Sequence, residues 1–250
     1  MRVIKIAIAI LSFSVLSSCD VVQSALEQNG SGLGNLPLTQ DEVVRGLKNA
    51  LTVGTDSAVR RLNAADGFLR DAAIKVLLPP EAQNIMNYVG KIPGGQALVD
   101  KTITALNRAA EDAAGTAAPI FSDAVKKMTI QDAFGILRGT ETAATDYLKT
   151  NTYSQLQAAF KPKIQTSLGK PLIYNTSAEK LYADLVSAYN LASLGGSLFP
   201  KITENSLTDH VTARALDGVF LKIANEEKLI RQDPAHRVTS ILERVFGSKQ

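Results

Sequence analysis

Residues 211–231, which read VTARALDGVFLKIANEEKLIR, decide the fold class of this chain. Apolar residues recur in this stretch at the three- and four-residue spacing that places them on one face of an α-helix. The stripe consists of Leu216, Val219, Phe220, Ile223 and Ile230. A strand would need strict alternation, so the stretch predicts one long amphipathic helix, capped by Ser206 or Thr208 and running to Arg231.

The composition of the whole chain agrees with an all-α fold. The 250 residues include 32 alanines, the best helix former, while Val, Ile, Tyr and Phe never form alternating runs. A hydrophobic content of 45% with 20% charged residues is typical of a globular protein. Proline and glycine punctuation divides the chain into about eight to ten helices, which we expect to form a single multi-helix domain with no sheet.

Local signals predict where some of these helices begin and end. Thr129 and Thr140 are expected to be the N-caps of two short helices, over Ile130–Leu137 and Glu141–Lys149, because a threonine hydroxyl accepts from the first backbone N–H groups. Pro162 is among the predicted helix breaks, since proline lacks the backbone N–H that continues a helix.

The first residues have the pattern of an export signal. A basic start at Arg2 and Lys5 precedes an apolar run from Ile6 to Leu16, which at roughly 11 residues is too short to span a membrane. The following LSSC, ending at Cys19, resembles the bacterial lipobox, whose cysteine receives a diacylglycerol before the signal is removed. The resemblance implies that Cys19 carries lipid, and an ordinary secretory signal is the alternative.

The chain is therefore predicted to have three parts: a lipoprotein signal peptide at residues 1–18, a lipid-anchored flexible stalk at 19–38, and an all-helical domain at 39–250. The stalk is predicted from the glycine-rich run at residues 29–35. We expect the mature protein to lie in the bacterial cell envelope, held to a membrane through Cys19 and facing the periplasm. The sequence does not decide whether the anchor lies in the inner or the outer membrane.

Charge and ligand counts argue against several classes of function. The formal net charge of +3 is small and no basic tract is present, which disfavours nucleic acid as a partner. One Cys and two His do not provide the ligands of a usual zinc site, so we expect no metal and no cofactor. His210 and His236 are predicted in the first turns of the long helix and of the last helix, where solvation is expected rather than catalysis.

Several short stretches between Leu38 and Gly247 resemble one bacterial family when they are taken together. They include GLKNAL at 46–51, LLP at 77–79, NRAAE at 107–111, ALDGVF at 215–220, and EE at 226–227 with IR at 230–231. The chain is similar in these stretches to domain-of-unknown-function family 4197, a family of uncharacterised envelope lipoproteins. The resemblance implies a fold unit and an envelope setting, but no catalytic residue.

Glu227 is the sharpest candidate for a functional residue, because it falls in the middle of the apolar stripe of the 211–231 helix. A carboxylate turned toward a core must be paired, protonated or exposed to a cavity, since burying a lone charge is prohibitively costly. Arg231 lies one turn further on, and Arg108 or Arg138 are candidate partners from other helices. Two roles for Glu227 are therefore left as alternatives: membership of a structural ion pair, or of a polar patch that binds a ligand or cation.

Two further groups of charged residues are candidates for a core polar network or a binding site. The first group is Arg108 with Glu111, and the second is Asp132, Arg138, Glu141 and Asp146. Nearby carboxylates are able to share proton transfer. Charged clusters at helical spacing are nevertheless usually solvated faces, and we expect the solvated arrangement here.

These observations favour a binding or interaction module that contacts another envelope protein or a small molecule held between helices. The alternatives are an enzyme of unrecognised type, with an acidic and arginine site in a helical cavity, and a purely structural envelope component. An enzyme needs a concave pocket where titratable groups converge, whereas an interaction module needs an exposed apolar patch or groove.

Overall fold

The computed structural model describes residues 39–91, 93–173, 175–202, 207–237 and 240–247. The predicted signal peptide, the lipidation site at Cys19 and the predicted stalk lie outside these residues. The chain from residue 40 onward forms one compact unit. It is mostly helical, in agreement with the predicted all-α class. Within the described residues, no helix has both the length and the apolar character needed to cross a bilayer.

Seven helices form the body of the described unit. They are α1 (Gln40–Asn63), α3 (Gly95–Ala114), α4 (Ala117–Lys127), α5 (Ile130–Leu137), α6 (Ala143–Gly169), α7 (Ala178–Ala192) and α8 (Leu207–Gln232). Two short helical segments pack against this body, α2 (Gln83–Tyr88) and α9 (Ser240–Gly247). Short 3-10 turns are present at Pro80–Ala82, Val89–Lys91, Leu194–Gly196 and Pro234–His236. The number of body helices is slightly below the predicted eight to ten.

Pro162 accounts for part of this difference, because α6 continues through it. Proline removes one backbone hydrogen bond and leaves the carbonyl of the residue four positions earlier, Ala158, without its helical partner. Pro162 and Ala158 both lie on the exposed side of α6, where an unpaired carbonyl costs less than it would in the core. The predicted break at Pro162 is therefore wrong, and so is the predicted start after Thr140, since α6 begins at Ala143.

Thr129 is the N-cap of α5, which spans the predicted residues 130–137. Its hydroxyl accepts from the backbone N–H of Asp132, while the Asp132 carboxylate accepts from the backbone N–H of Thr129. This reciprocal arrangement satisfies two N–H groups that a helix start otherwise leaves unpaired. Thr208, one of the two predicted caps of the long helix, lies inside α8 instead.

The β structure of the described residues is one short antiparallel ribbon between α6 and α7. In it β1 (Pro171–Ile173) pairs with β2 (Thr176–Ser177), and Asn175 at the turn has a positive φ of 57°. Asparagine tolerates this left-handed conformation better than most residues. The ribbon adds no layer to the architecture, which remains a packing of helices.

Helix α3 runs through the centre of the core. Its alanines 105, 109, 110 and 113 have no exposed surface, and small side chains at these positions let neighbouring helices approach closely. Helices α1, α6, α7 and α8 all contact α3, and the two longest helices, α6 and α8, pack along one another. The core is therefore built around a helix that contributes little side-chain volume of its own.

Two glycines mark places where helices meet other segments at short range. A Cβ atom on Gly218 of α8 would lie 2.7 Å from the ring of Phe68, and a Cβ atom on Gly46 of α1 would lie 2.8 Å from Val245 of α9. Both distances are shorter than real Cβ contacts, so a larger residue at either position would push its neighbour away.

Candidate functional site

The carboxylate of Glu227 is buried at the N-terminus of α6, with 8% of the side chain exposed. Its two oxygens accept hydrogen bonds from the backbone N–H groups of Ala144 at 3.0 Å and Thr145 at 2.9 Å, and from the Thr145 hydroxyl at 2.9 Å. These N–H groups have no partner within α6, and the helix dipole favours a negative charge beside them. Glu227 therefore caps α6 although it belongs to α8.

Arg231 binds both Glu227 and the end of α5. Its Nε and Nη2 atoms donate to Oε1 of Glu227 at 3.0 and 2.8 Å, and Nη2 also donates to the carbonyl of Ile136 at 2.9 Å. Ile136 is in the last turn of α5, and its carbonyl also accepts from the N–H of Gly139 at 3.2 Å. The pair Glu227 and Arg231, here termed the corner clamp, thus holds the end of one helix and the start of the next.

The space beside the corner clamp is small. A cavity of about 30 Å³ lies between α1 and α8, lined by residues that include Leu51, Gly54 and Ile223. One water needs about 10–15 Å³ on this measure, so the cavity admits one or two waters but no organic ligand. The geometry therefore supports the structural ion pair rather than the ligand-binding patch.

A second polar cluster joins α3 to the turns that follow α1. Arg108 donates to Glu111 at 2.6 Å and to Asp66 at 2.5 Å, and Glu111 accepts from the backbone N–H groups of Phe68 at 3.2 Å and Leu69 at 3.3 Å. The hydrogen bond to Glu111, and then that to Asp66, raises the pKa of Arg108. Glu111 is only 5% exposed, so the expected solvated face is wrong for this residue.

Asn107, on the same helix, was missed by the sequence analysis. Its side chain has no exposed surface; Oδ1 accepts from the N–H of Val76 at 2.9 Å, and Nδ2 donates to the carbonyls of Val76 at 2.8 Å and Ile103 at 2.7 Å. The side-chain amide therefore pairs with both the N–H and the carbonyl of Val76, as the backbone of a neighbouring strand would. The available signal was its spacing, since Asn107 lies four residues after Ile103, on the apolar face of α3.

The other predicted site residues lie at the surface of the α5–α6 corner. The Asp132 carboxylate caps α5, and the backbone hydrogen bond from Thr129 holds the pKa of Asp132 below its ordinary value. Arg138 is exposed and lies over the ring of Phe134, 5.4 Å from its centroid. Neither Arg138 nor Arg108 is the partner of Glu227. Glu141 is 61% exposed and accepts from Gln232.

The two histidines occupy separate places in the described chain. His210 is in the first turn of α8, as predicted, and its Nε2 donates to the carbonyl of Leu77 at 2.9 Å. His236 pairs with Asp233 at 2.9 Å and lies in the 3-10 turn before α9, not in α9 itself. Within the described ranges, no three His, Cys, Asp or Glu side chains come together as a metal site would require.

An exposed apolar surface, also missed by the sequence analysis, lies at the end of α7. Leu191, Leu194 and Leu198 are 79%, 68% and 66% exposed, the highest values among the large apolar side chains of the described residues. We term these three residues the leucine tip. Tyr88, which is 42% exposed, stacks on Phe199 at the base of the tip with ring centroids 4.1 Å apart.

Partly buried hydrogen bonds hold the leucine tip in place. The hydroxyl of Ser193 accepts from the N–H of Gly196 at 3.0 Å, and the Ser193 carbonyl accepts from the N–H of Leu198 at 3.1 Å. The side chain of Asn190 pairs with both backbone groups of Ile202, at 3.0 and 3.1 Å. Leu194 adopts a left-handed backbone with a φ of 48°, which is costly for a residue with a large side chain.

A recess of about 380 Å³ lies beside α7, and its lining reaches Ala188, one helical turn before Leu191. Its lining is mostly apolar and includes Val89, Leu98 and Ala188, together with Lys101. Ala188 lies three residues before Leu191 on α7, so the recess and the tip share one side of that helix. This volume is within the range of small-molecule sites, unlike the cavity at the corner clamp.

Comparison with known proteins gives one match. A family model described as protein of unknown function (DUF4197) matches residues 37–247. Nothing matches among curated proteins or among solved structures.

Proposed function

Because the chain belongs to the DUF4197 family of proteins of unknown function, which provides no activity to transfer, we propose its role from the site geometry and the sequence. The proposal is a lipid-anchored protein of the bacterial cell envelope, facing the periplasm, whose helical domain works by binding a partner rather than by catalysis. The observation that carries it is the leucine tip, a held and exposed apolar surface. Such surfaces on soluble domains mark interaction sites.

The polar clusters support binding over catalysis. Among the described residues, the buried carboxylates are Glu111, Glu226 and Glu227. Each is paired with an arginine: Arg108, Arg61 and Arg231, respectively. A carboxylate that already neutralises an arginine is poorly placed to accept a proton from a substrate. The acidic and arginine clusters therefore fit a structural role, and the proposal does not assign catalysis to them.

The anchoring part of the proposal is supported by the sequence around Cys19. The cysteine is the single one in the chain, and it stands where an export signal ends. A diacylglyceryl group with an added acyl chain would provide enough hydrocarbon for stable attachment. The protein would then act at a membrane surface while its helical domain stays in the aqueous space beside it.

Metabolic labelling tests the anchor. Cells that express the full chain are grown with a radiolabelled fatty acid, and Cys19→Ser is the matched control. We expect label on the wild type, none on the variant, and a slower-migrating unprocessed form of the variant. Equal labelling of the two proteins, or no labelling of either, would contradict the anchor.

Native mass spectrometry of the protein extracted from its own host tests the binding role. We expect a bound species that is lost in the double variant Leu191→Ser/Leu198→Ser and kept in Leu229→Ser, an exposed leucine of α8 outside the tip. A bound small molecule that persists in the tip variant and is lost in Glu227→Gln would favour the helical cavity instead and contradict the proposal.

A further inference from the structure

We propose that the leucine tip inserts into the lipid surface to which the protein is attached, so that the bilayer itself is the partner of this face. The inference deepens the proposed function and rests on it for the attachment. The juxtaposition that carries it is three protruding leucines, an aromatic base and lysines at positions 91, 101 and 201 in the neighbouring segments.

The shape of the tip fits a lipid surface better than a protein groove. Exposures of 66–79% mean that the three leucines stand out into solvent rather than line a concavity. The three fall within eight residues: Leu191 is in the last turn of α7, and the hydrogen bond from the N–H of Leu198 to the carbonyl of Ser193 closes the turn that follows and contains Leu194. Apolar side chains that project from a folded turn are able to enter the boundary between headgroups and acyl chains without unfolding the backbone.

The backbone of the tip indicates that this projection is specified. Leu194 keeps a left-handed conformation although it is not a glycine, and the next two residues are glycines that would adopt this conformation without cost. The buried Ser193 and the part-buried Asn190 supply the hydrogen bonds that maintain it. Strain of this kind is found mainly where a side chain must be presented for function.

The charge around the tip matches an anionic surface. Between Asp184 and Glu204 the chain has one charged residue, Lys201, whose side chain lies 3.4 Å from the place a Cβ atom on Gly196 would occupy. Lys91, in the turn after Tyr88, is exposed, and Lys101 borders the recess beside α7. Lysines that surround an apolar projection are attracted to anionic headgroups while the projection enters the lipid.

Tyr88 and Phe199 add the aromatic side chains that are typical of a surface at the membrane–water interface. Their stacked rings lie at the base of the tip, and Tyr88 is partly exposed. Tyrosine combines an apolar ring with a polar hydroxyl, which suits the level of the headgroups. The chain between Cys19 and Thr39 spans at most about 70 Å even when fully extended, so a lipid on Cys19 keeps the bilayer within reach of the domain.

Single-tryptophan fluorescence in the full chain tests the inference. The protein contains no tryptophan, so Leu191→Trp introduces one probe at the tip, and Leu229→Trp is the matched control on α8. Each full-length lipidated variant is reconstituted into vesicles of phosphatidylcholine and phosphatidylglycerol in which the acyl chains are brominated near the headgroup. We expect the emission of Leu191→Trp to shift to shorter wavelength and to fall roughly twofold, and that of Leu229→Trp to change little.

Three results would overturn the inference. The first is equal emission of Leu191→Trp in brominated and ordinary vesicles. The second is shielding of this tryptophan from aqueous acrylamide without quenching by the brominated lipid, because a protein surface would then cover the tip. The third is equal quenching of Leu191→Trp and Leu229→Trp.

The attachment is tested separately by mass analysis of Cys19 in the same preparations. If Cys19 carries no lipid, the proposed anchor fails, and the variants are added to preformed brominated vesicles instead. Quenching of Leu191→Trp there supports the tip without the anchor, whereas its absence overturns the tip inference as well. With anchored protein, vesicles of phosphatidylcholine alone should quench less than the anionic mixture, and equal quenching would contradict the role of the lysines.

Discussion

Glu227 and Arg231, one turn apart on α8, bind opposite sides of the same corner between α5 and α6. The carboxylate accepts from the free N–H groups at the start of α6, while the guanidinium donates to the Ile136 carbonyl at the end of α5. Each charge lies at the helix end whose dipole it complements, and the two neutralise one another. One ion pair therefore fixes the positions of three helices.

Removal of the Glu227 side chain should destabilise the fold strongly. In Glu227→Ala the Arg231 charge stays largely buried without its partner, and the start of α6 loses its cap. We expect a loss of about 3–5 kcal/mol in the free energy of unfolding, measured by urea denaturation. Glu141→Ala, an exposed carboxylate at the same corner, is the matched control and should change stability by less than about 0.5 kcal/mol. A small loss for Glu227→Ala would mean that the clamp does not hold the corner.

The corner clamp shows which features of the site could be predicted from the sequence. The position of Glu227 on the apolar stripe of α8 and its distance of four residues from Arg231 are both periodic features, and they predicted a buried carboxylate and its local partner. The hydrogen bonds to Ala144 and Ile136 could not be predicted from the sequence, because they join residues more than 80 positions apart. Local periodicity specifies which face is buried, but not which helix end will meet it.

The amide of Asn107 should contribute to stability through the same kind of long-range bond. Asn107→Ala leaves the N–H and carbonyl of Val76 buried without partners, and each such group costs about 1–3 kcal/mol. The matched control is Asn151→Ala on α6, where the side chain makes a similar bond to the carbonyl four residues earlier but is exposed. We expect urea denaturation to show a loss of at least about 2 kcal/mol for Asn107→Ala and almost none for the control. Equal effects would refute the role assigned to Asn107.

The N-cap at α5 should give a measurable dependence of stability on pH. Hydrogen bonds from Thr129 lower the pKa of Asp132 below its ordinary value of 3.8. The stabilisation is therefore fully present above pH 3.8, where the carboxylate is ionised in both states, and is lost as the pH falls through the lower pKa of the folded protein. Asp132→Ala should cost about 1 kcal/mol at neutral pH.

Urea denaturation across the acidic range checks this prediction. The difference between wild type and Asp132→Ala should shrink as the pH falls below 3.8. Gln131→Ala, a neutral and exposed substitution in the same turn, should show a difference that does not change with pH. A constant difference for Asp132→Ala would show that the charge of the carboxylate plays no part in the cap.

The helical unit should fold without the preceding residues. Residues 40 to 250 form one compact unit, and the family match begins at residue 37. We expect the chain trimmed to residues 39–247 to be soluble, to give a circular dichroism spectrum dominated by helix, and to unfold in a single cooperative transition. A spectrum with substantial β signal, or an insoluble product, would contradict the architecture.

The surface of the domain was less predictable than its core. The sequence predicts an interaction module but not the position of its surface, because leucines at 191, 194 and 198 match the spacing of buried positions equally well. Leu191 is in the last turn of α7, and the turn that Ser193 and Asn190 build places Leu194 and Leu198 just beyond the end of that helix. The periodicity of apolar residues along a helix does not predict where that helix ends relative to its neighbours, and so it could not predict that these leucines are exposed.

Pro162 should be replaceable with a gain in stability. Proline costs about 3 kcal/mol relative to alanine inside a helix, and the clash and the lost hydrogen bond at Ala158 are both relieved in Pro162→Ala. Part of this cost is offset because Ala158 and Pro162 are exposed, so we expect a gain of about 1–3 kcal/mol by urea denaturation. Gln157→Ala, exposed on the same helix, should change stability by less than about 0.5 kcal/mol. If Pro162→Ala is instead neutral or destabilising, the bend that proline imposes on α6 is required for its packing along α8, and the solvent-side explanation for its tolerance is wrong.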